Sequence, residues 1–228
     1  QTIQQLFDCT QALATQPLPP GNRLAIVTNA GGPAILATDA LEQRGGTLAQ
    51  LSPDTLATLD KVLPPYWSKG NPVDTLGDAS VEQFRAALHA CLYDPNVDAV
   101  LAILTAQSIT NAEAVARAVV AESKAVYSKP VYTSWMGLQT VRSGRAILEA
   151  GKVPWYPFPE RAVVTFMHKV RYRENLETAF TAALNRAVAV DDLAPDDVGM
   201  LRDALVAIVY AHNLLVNSPD SLKAGITH

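Results

Sequence analysis

The sharpest chemical feature of this 228-residue sequence is a pair of glycines at the end of an apolar run. Leu24-Ala25-Ile26-Val27-Thr28 reads as a buried strand, and it runs straight into Asn29-Ala30-Gly31-Gly32. Residues 33–43 then take helical spacing, with Ile35, Leu36 and Leu41 on the pattern. A strand that enters a helix through glycines leaves backbone N–H groups of the first turn free to face an anion, with the helix dipole behind them. Glycine also allows a phosphate to come close to the backbone. Taken alone, the turn reads equally well as a compact strand-to-helix connection. It is neither a G-x-G-x-x-G dinucleotide fingerprint nor a Gly-Lys-Ser/Thr phosphate loop.

Three further polar segments follow apolar runs. Residues 64–78, PPYWSKGNPVDTLGD, form a long loop that holds Asn71 and Asp74, and Pro72 biases Asn71 toward extended backbone. An Asx-type structural turn explains the same residues. Thr105-Ala106-Gln107-Ser108, followed by Thr110, supplies hydroxyl and amide groups, although a helix cap at Ser108 or Thr110 would use some of them. Ser134-Trp135-Met136-Gly137 closes another run, where Trp135 and Met136 suit rim packing better than ligand contact. The candidate rim contacts are therefore Asn71, Asp74, Gln107 and Ser108, beside the anion-binding candidates Asn29, Ala30, Gly31 and Gly32.

Other chemistries find little support. His89, His168, His212 and His228 fall outside these segments, and none pairs with a Ser or Cys nucleophile, so no catalytic residue is assigned. Cys9 and Cys91 stand far apart without metal-ligand spacing, so no metal site is expected, and a reduced cytoplasmic protein is. A net charge of −4 without basic runs argues against a nucleic-acid surface, and no apolar stretch is long enough to span a bilayer.

The elements that must position these segments alternate. Strands are expected at residues 24–28, 47–51, 98–105, 130–135 and 153–158, and helices at 33–43, 53–63, 79–93, 111–124, 137–150 and 160–184. Gly45-Gly46 closes the first of these helices, and Ser52-Pro53-Asp54 opens the second. This order predicts an α/β fold: a flavodoxin-like, doubly wound, five-stranded parallel sheet of order 2-1-3-4-5, with extra helices at both ends. Ligands of such sheets bind beyond the carboxyl ends of the strands, where all four polar segments fall. Residues 1–20 read as an amphipathic helix and linker from a preceding domain, 21–184 as the α/β domain, and 185–228 as a helical extension with an apolar helix at 198–216. Because Gln1 opens directly into an amphipathic pattern, a piece of a longer polypeptide is expected.

The residues also carry a family likeness. Residues 21–33, GNRLAIVTNAGGP, resemble the opening of the ligase domain of NDP-forming acyl-CoA synthetases, the ADP-forming acetyl-CoA synthetase group of the succinyl-CoA synthetase superfamily. Residues 70–79, GNPVDTLGDA, look like that family's second signature, and Asp94-Pro95-Asn96-Val97-Asp98-Ala99-Val100, Lys129-Pro130-Val131 and Ser134-Trp135-Met136-Gly137 fit its later strands. The likeness spans about residues 3–184. It implies interconversion of acyl-CoA, phosphate and ADP with acid, CoA and ATP. A phosphohistidine would shuttle between sites and rest between two helix N-termini, one of them at Asn29–Gly32. It also implies CoA, ADP or ATP and Mg in the complete enzyme, with none of them held by this domain alone.

The departures bear on the same reading. The family's Ser-His-Thr-Gly-like phosphoacceptor motif, its Gly-rich CoA-binding domain and its ATP-grasp domain do not occur in this sequence. The implied partners are therefore a CoA-binding/phosphohistidine domain and an ATP-grasp domain, in the same or another chain, with a homodimer left open. The chain alone is not expected to complete the reaction. An alternative is the non-catalytic, synthetase-like regulatory region of a protein lysine acetyltransferase. A phospho-receiver or flavin domain fits less well, because Asn29 stands where a receiver needs acid and no Ser/Thr-rich phosphate loop is present.

Overall fold

The computed structural model describes residues 2–107, 110–188, 199, 200 and 203. Most of the expected helix at 198–216, and most of the extension 185–228, lie outside the described residues. Among the described residues, six parallel strands form one sheet: β1 (Arg23–Thr28), β2 (Thr47–Leu48), β3 (Val73–Asp74), β4 (Ala99–Thr105), β5 (Val131–Met136) and β6 (Trp155–Tyr156). The path β2-β1-β4-β5-β6 is the expected 2-1-3-4-5 order once β3, which pairs with β1 off that path, is set aside.

That extra strand corrects the reading of residues 64–78 as loop throughout. β2 and β3 share one edge of β1. Thr47 and Leu48 pair with Arg23 and Leu24, while Val73 and Asp74 pair with Val27 and Thr28. The gap between them is filled by a side chain. Asn71 Oδ1 accepts the Ile26 N–H at 2.9 Å, and Asn71 Nδ2 donates to Leu24 O and Ala49 O, each at 2.9 Å. One carboxamide thus replaces a stretch of ladder, so β2 ends after two residues and the strand expected at 47–51 is shorter. The strand expected at 153–158 likewise narrows to β6 at the sheet edge.

Helices cover both faces. α1 (Ile3–Thr15), α2 (Gly31–Glu42) and α7 (Pro159–Val188) lie on one side, over Leu24, Ile26, Leu101, Ile103 and Tyr132. α3 (Pro53–Val62), α4 (Val81–Tyr93), α5 (Ala112–Ala125) and α6 (Arg142–Ala150) lie on the other, over Ala25, Val27, Val100, Ala102 and Trp135. The period of two along each strand sends alternate side chains to the two cores, which is why β1 and β4 read as unbroken apolar runs.

α1 is fastened to this body. Arg161 grips Asp8 at 2.7 Å, and Gln16 joins the Val131 N–H to Lys152 O. The Lys169 ammonium, 1% exposed, donates to Ala12 O and Gln16 O at the end of α1. Burial pushes the Lys169 amine down to about 7. Among the described residues, no helix is long and apolar enough to cross a membrane.

Candidate functional site

The helix after β1 begins two residues earlier than its spacing suggests: Gly31 and Gly32 are its first two residues and Ala30 is the N-cap. An α-helix start leaves four backbone N–H groups without partners in the helix. Here each can be accounted for. The Ala30 N–H donates to Thr28 Oγ1 at 3.0 Å, and that hydroxyl donates back to Ala30 O at 2.9 Å. Pro33 has no N–H. No side chain caps the helix, so among the described residues the Gly31 and Gly32 N–H groups remain, with no acidic residue in the first turn. Two other helices starting at this rim differ. The Ser80 hydroxyl accepts the Gln83 N–H in α4, and Asn111 Oδ1 accepts the Ala114 N–H in α5.

The candidate residues divide by role. The Asn29 side chain, 5% exposed, does not face solvent. Its Oδ1 accepts the Thr105 N–H at 2.8 Å and the Thr105 hydroxyl at 3.1 Å, and its Nδ2 donates to Thr105 O at 2.9 Å. Asn29 therefore ties the carboxyl ends of β1 and β4 together, and only its backbone belongs to the turn. Asn71 lies below the rim, within the ladder. Asp74 stands at the rim: its Oδ1 accepts the Leu76 N–H at 2.9 Å, and its Oδ2 lies 3.2 Å from where a Cβ on Gly31 would sit. A Cβ on Gly32 would meet nothing within 4 Å. Gln107 is exposed and donates to Thr105 Oγ1 at 3.1 Å, and among the described residues its side-chain carbonyl has no partner. Ser108 lies outside the described residues.

The structure thus brings Gly31, Gly32, Asp74 and the Asn29–Thr105–Gln107 chain of hydrogen bonds to one rim. A cavity of about 260 Å³ opens beside Asn29, between Ser80 and Asn111 at the starts of α4 and α5. Thr28 and Thr75 were not singled out by sequence, yet both fix the turn. Thr75 donates to Thr28 O through its N–H at 2.8 Å and its hydroxyl at 3.0 Å. Their signal is a threonine at each strand end, too common to stand out.

Other reactive groups sit elsewhere. His89 contacts Glu122 at 2.8 Å on the α4/α5 face, and His168 lies on α7. The buried Cys91 thiol is pushed up to about 12 by burial. Among the described residues, no cluster of His, Cys, Asp or Glu could hold a metal ion.

Residues 24–179 match the family model of the Ligase-CoA domain. The chain belongs to that family. The Ligase-CoA domain is 37% identical over 173 residues to the 4-hydroxybutyrate–CoA ligase [ADP-forming] of Nitrosopumilus maritimus, covering 76% of this chain and 24% of that protein. It is 34% identical over 181 residues to the acetate–CoA ligase [ADP-forming] II subunit alpha of Pyrococcus furiosus, covering 77% of this chain and 39% of the subunit. A solved structure of the acetyl-coenzyme A synthetase 1 of Ca. Korarchaeum cryptofilum, in complex with phosphate and ADP, superimposes with a TM-score of 0.69 at 30% identity, covering 75% of this chain and 38% of that one. The chain therefore spans well under half the length of these relatives. All three are ADP-forming or acetyl-CoA ligases, so the regulatory acetyltransferase reading is not favoured.

Proposed function

We propose that this chain is the Ligase-CoA module of an ADP-forming acyl-CoA synthetase. In this reading it works with a CoA-binding domain that carries a phosphohistidine and with an ATP-grasp domain. The complete assembly converts acyl-CoA, phosphate and ADP to acid, CoA and ATP. CoA, the nucleotide and Mg are held in the assembly rather than by this module. The observation that carries the reading is the uncapped start of α2, where the Gly31 and Gly32 N–H groups and the dipole of a twelve-residue helix point out of the rim.

The contribution is electrostatic. Donors already fixed in place stabilise a doubly charged phosphoryl group without reorganising as it arrives. Asp74, beside Gly31, would repel a bare anion. It suits a phosphoryl group carried by an imidazole, whose other ring nitrogen, when protonated, donates to a carboxylate. Asn29 and Thr105 act indirectly, by fixing the turn against β4.

The test is to assemble the chain with its partner domains, supply acyl-CoA, ADP and labelled phosphate, and follow both label on histidine and ATP. Turnover by the assembly, with none by the chain alone, is the expected result. Turnover by the isolated chain would overturn the division of labour, and an assembly with no labelled intermediate would overturn the phosphohistidine.

A further inference from the structure

Two strands along the same rim, on the face opposite α2, the chain leaves β5 at Met136 and enters α6 through Gly137, Leu138 and a short 3-10 turn (Gln139–Val141). A cleft of about 430 Å³ opens there, lined by Leu138, Arg142, Arg145, Ala146, Glu149 and Trp155 among others. It takes no part in the reading of α2.

The charges in the cleft are unbalanced. Arg145 Nη2 donates to Trp135 O and Gly137 O, each at 2.6 Å, and the guanidinium stacks 4.4 Å from the centre of the Trp155 ring. Those contacts fix its position and use both hydrogens of Nη2, and among the described residues the Nη1 group has no partner. Burial lowers the Arg145 pKa, with no acidic neighbour acting against it. Arg142, one turn earlier, is exposed, and among the described residues it forms no ion pair. The one carboxylate in the lining, Glu149, accepts the Trp155 indole N–H at 2.7 Å. A guanidinium fixed through one nitrogen still offers its Nη1 hydrogens and its charge to a carboxylate or phosphate oxygen.

The walls restrict the rest of the ligand. Leu138 is 86% exposed at the mouth, and Ala146 and the indole make the sides apolar. A cleft of this volume holds more than an inorganic anion, within the usual range for small-molecule sites. We propose that the β5–α6 cleft binds a small ligand through a carboxylate or phosphate group held by Arg142 and Arg145, with a short apolar body against Leu138, Ala146 and Trp155.

The test uses the intact 228-residue chain. Trp67 and Trp135 are buried, at 2% and 0% exposure, so Trp155 is the tryptophan most open to a ligand. Butyrate and inorganic phosphate are titrated separately while tryptophan fluorescence is followed. A saturable response to either is expected, weakened about tenfold or more in Arg142→Ala, as for loss of a charge-assisted hydrogen bond. Arg142→Lys should recover part of it. Arg142 has no partner to lose among the described residues, so the variant should melt like the parent. Binding of butyrate alone would identify a carboxylate ligand, and binding of phosphate a phosphate-bearing one. No saturable response to either, or a response unchanged in Arg142→Ala, would overturn the proposal.

Discussion

Replacing Gly32 by leucine tests the α2 reading with little risk to the fold. A Cβ at Gly32 meets nothing within 4 Å, whereas one at Gly31 would press on Asp74. Glycine costs a helix about 0.5–1 kcal/mol relative to alanine, and leucine is nearly as good a helix former as alanine. Gly32→Leu should therefore leave stability unchanged or raise it by up to about 1 kcal/mol, roughly 2–4 °C in Tm for a domain of this size. The leucine side chain leans toward the helix N-terminus, over the space in front of the two free N–H groups. If a phosphoryl group docks there, the variant loses the equivalent of an oxyanion donor or more, about 10²–10³ in rate or about 3–4 kcal/mol. The assay is phosphoryl transfer by the assembled synthetase, with thermal melting of the isolated chain in parallel. Turnover within about threefold of the parent, less than 1 kcal/mol, would refute the phosphate role of the turn. A Tm lowered by several degrees would instead show that the space around Gly32 is not open.

Two further predictions rest on the scaffold. Asn71→Ala removes the carboxamide between β2 and β3 and takes away the partner of the Ile26 N–H and of Ala49 O, while Leu24 O keeps the Ala49 N–H. The expected loss is about 2–4 kcal/mol, read from denaturant melts, and a change below about 0.5 kcal/mol would show that water replaces the amide at no cost. Lys169 gives a pH signature. Its folded pKa, about 7, lies below its unfolded value, so both states hold the proton below pH 7 and the burial cost is then fully present. From pH 7 to 8.5 the unfolded chain holds more protons, so stability should rise with pH by at most about 1.4 kcal/mol per unit. Lys169→Met should flatten that rise even though it costs stability overall through the unpartnered Ala12 and Gln16 carbonyls. An identical slope in both proteins would refute the assignment.

Much of the fold was legible because it rests on local patterns. Unbroken apolar runs mark β1 and β4 as strands buried on both faces, and Ser80, Asn111 and Ser52-Pro53 mark helix starts. The edge strands read too long, since their ends depend on what lies beside them. The candidate site was legible as a location and less so as a set of roles. Asn29 and Asn71 drew notice as polar residues near the rim, yet both side chains complete the ladder from within, and spacing along one chain cannot distinguish a ligand contact from a bond to another strand. Arg142 and Arg145 drew no notice, because two arginines three residues apart look like any solvated helix face until Trp155 and the β5 carbonyls are placed around them.

By itself, then, the sequence determined that a buried strand enters a helix through Asn29-Ala30-Gly31-Gly32, a matter of apolar pattern and glycine's conformational range. Only the tertiary structure decided which donors of that turn are free. Thr28 takes the Ala30 N–H, Thr105 occupies the Asn29 side chain, and no side chain caps Gly31 and Gly32. Partners separated by up to 76 residues meet only when β1 and β4 pair, so whether a group is left for a ligand is settled by the fold.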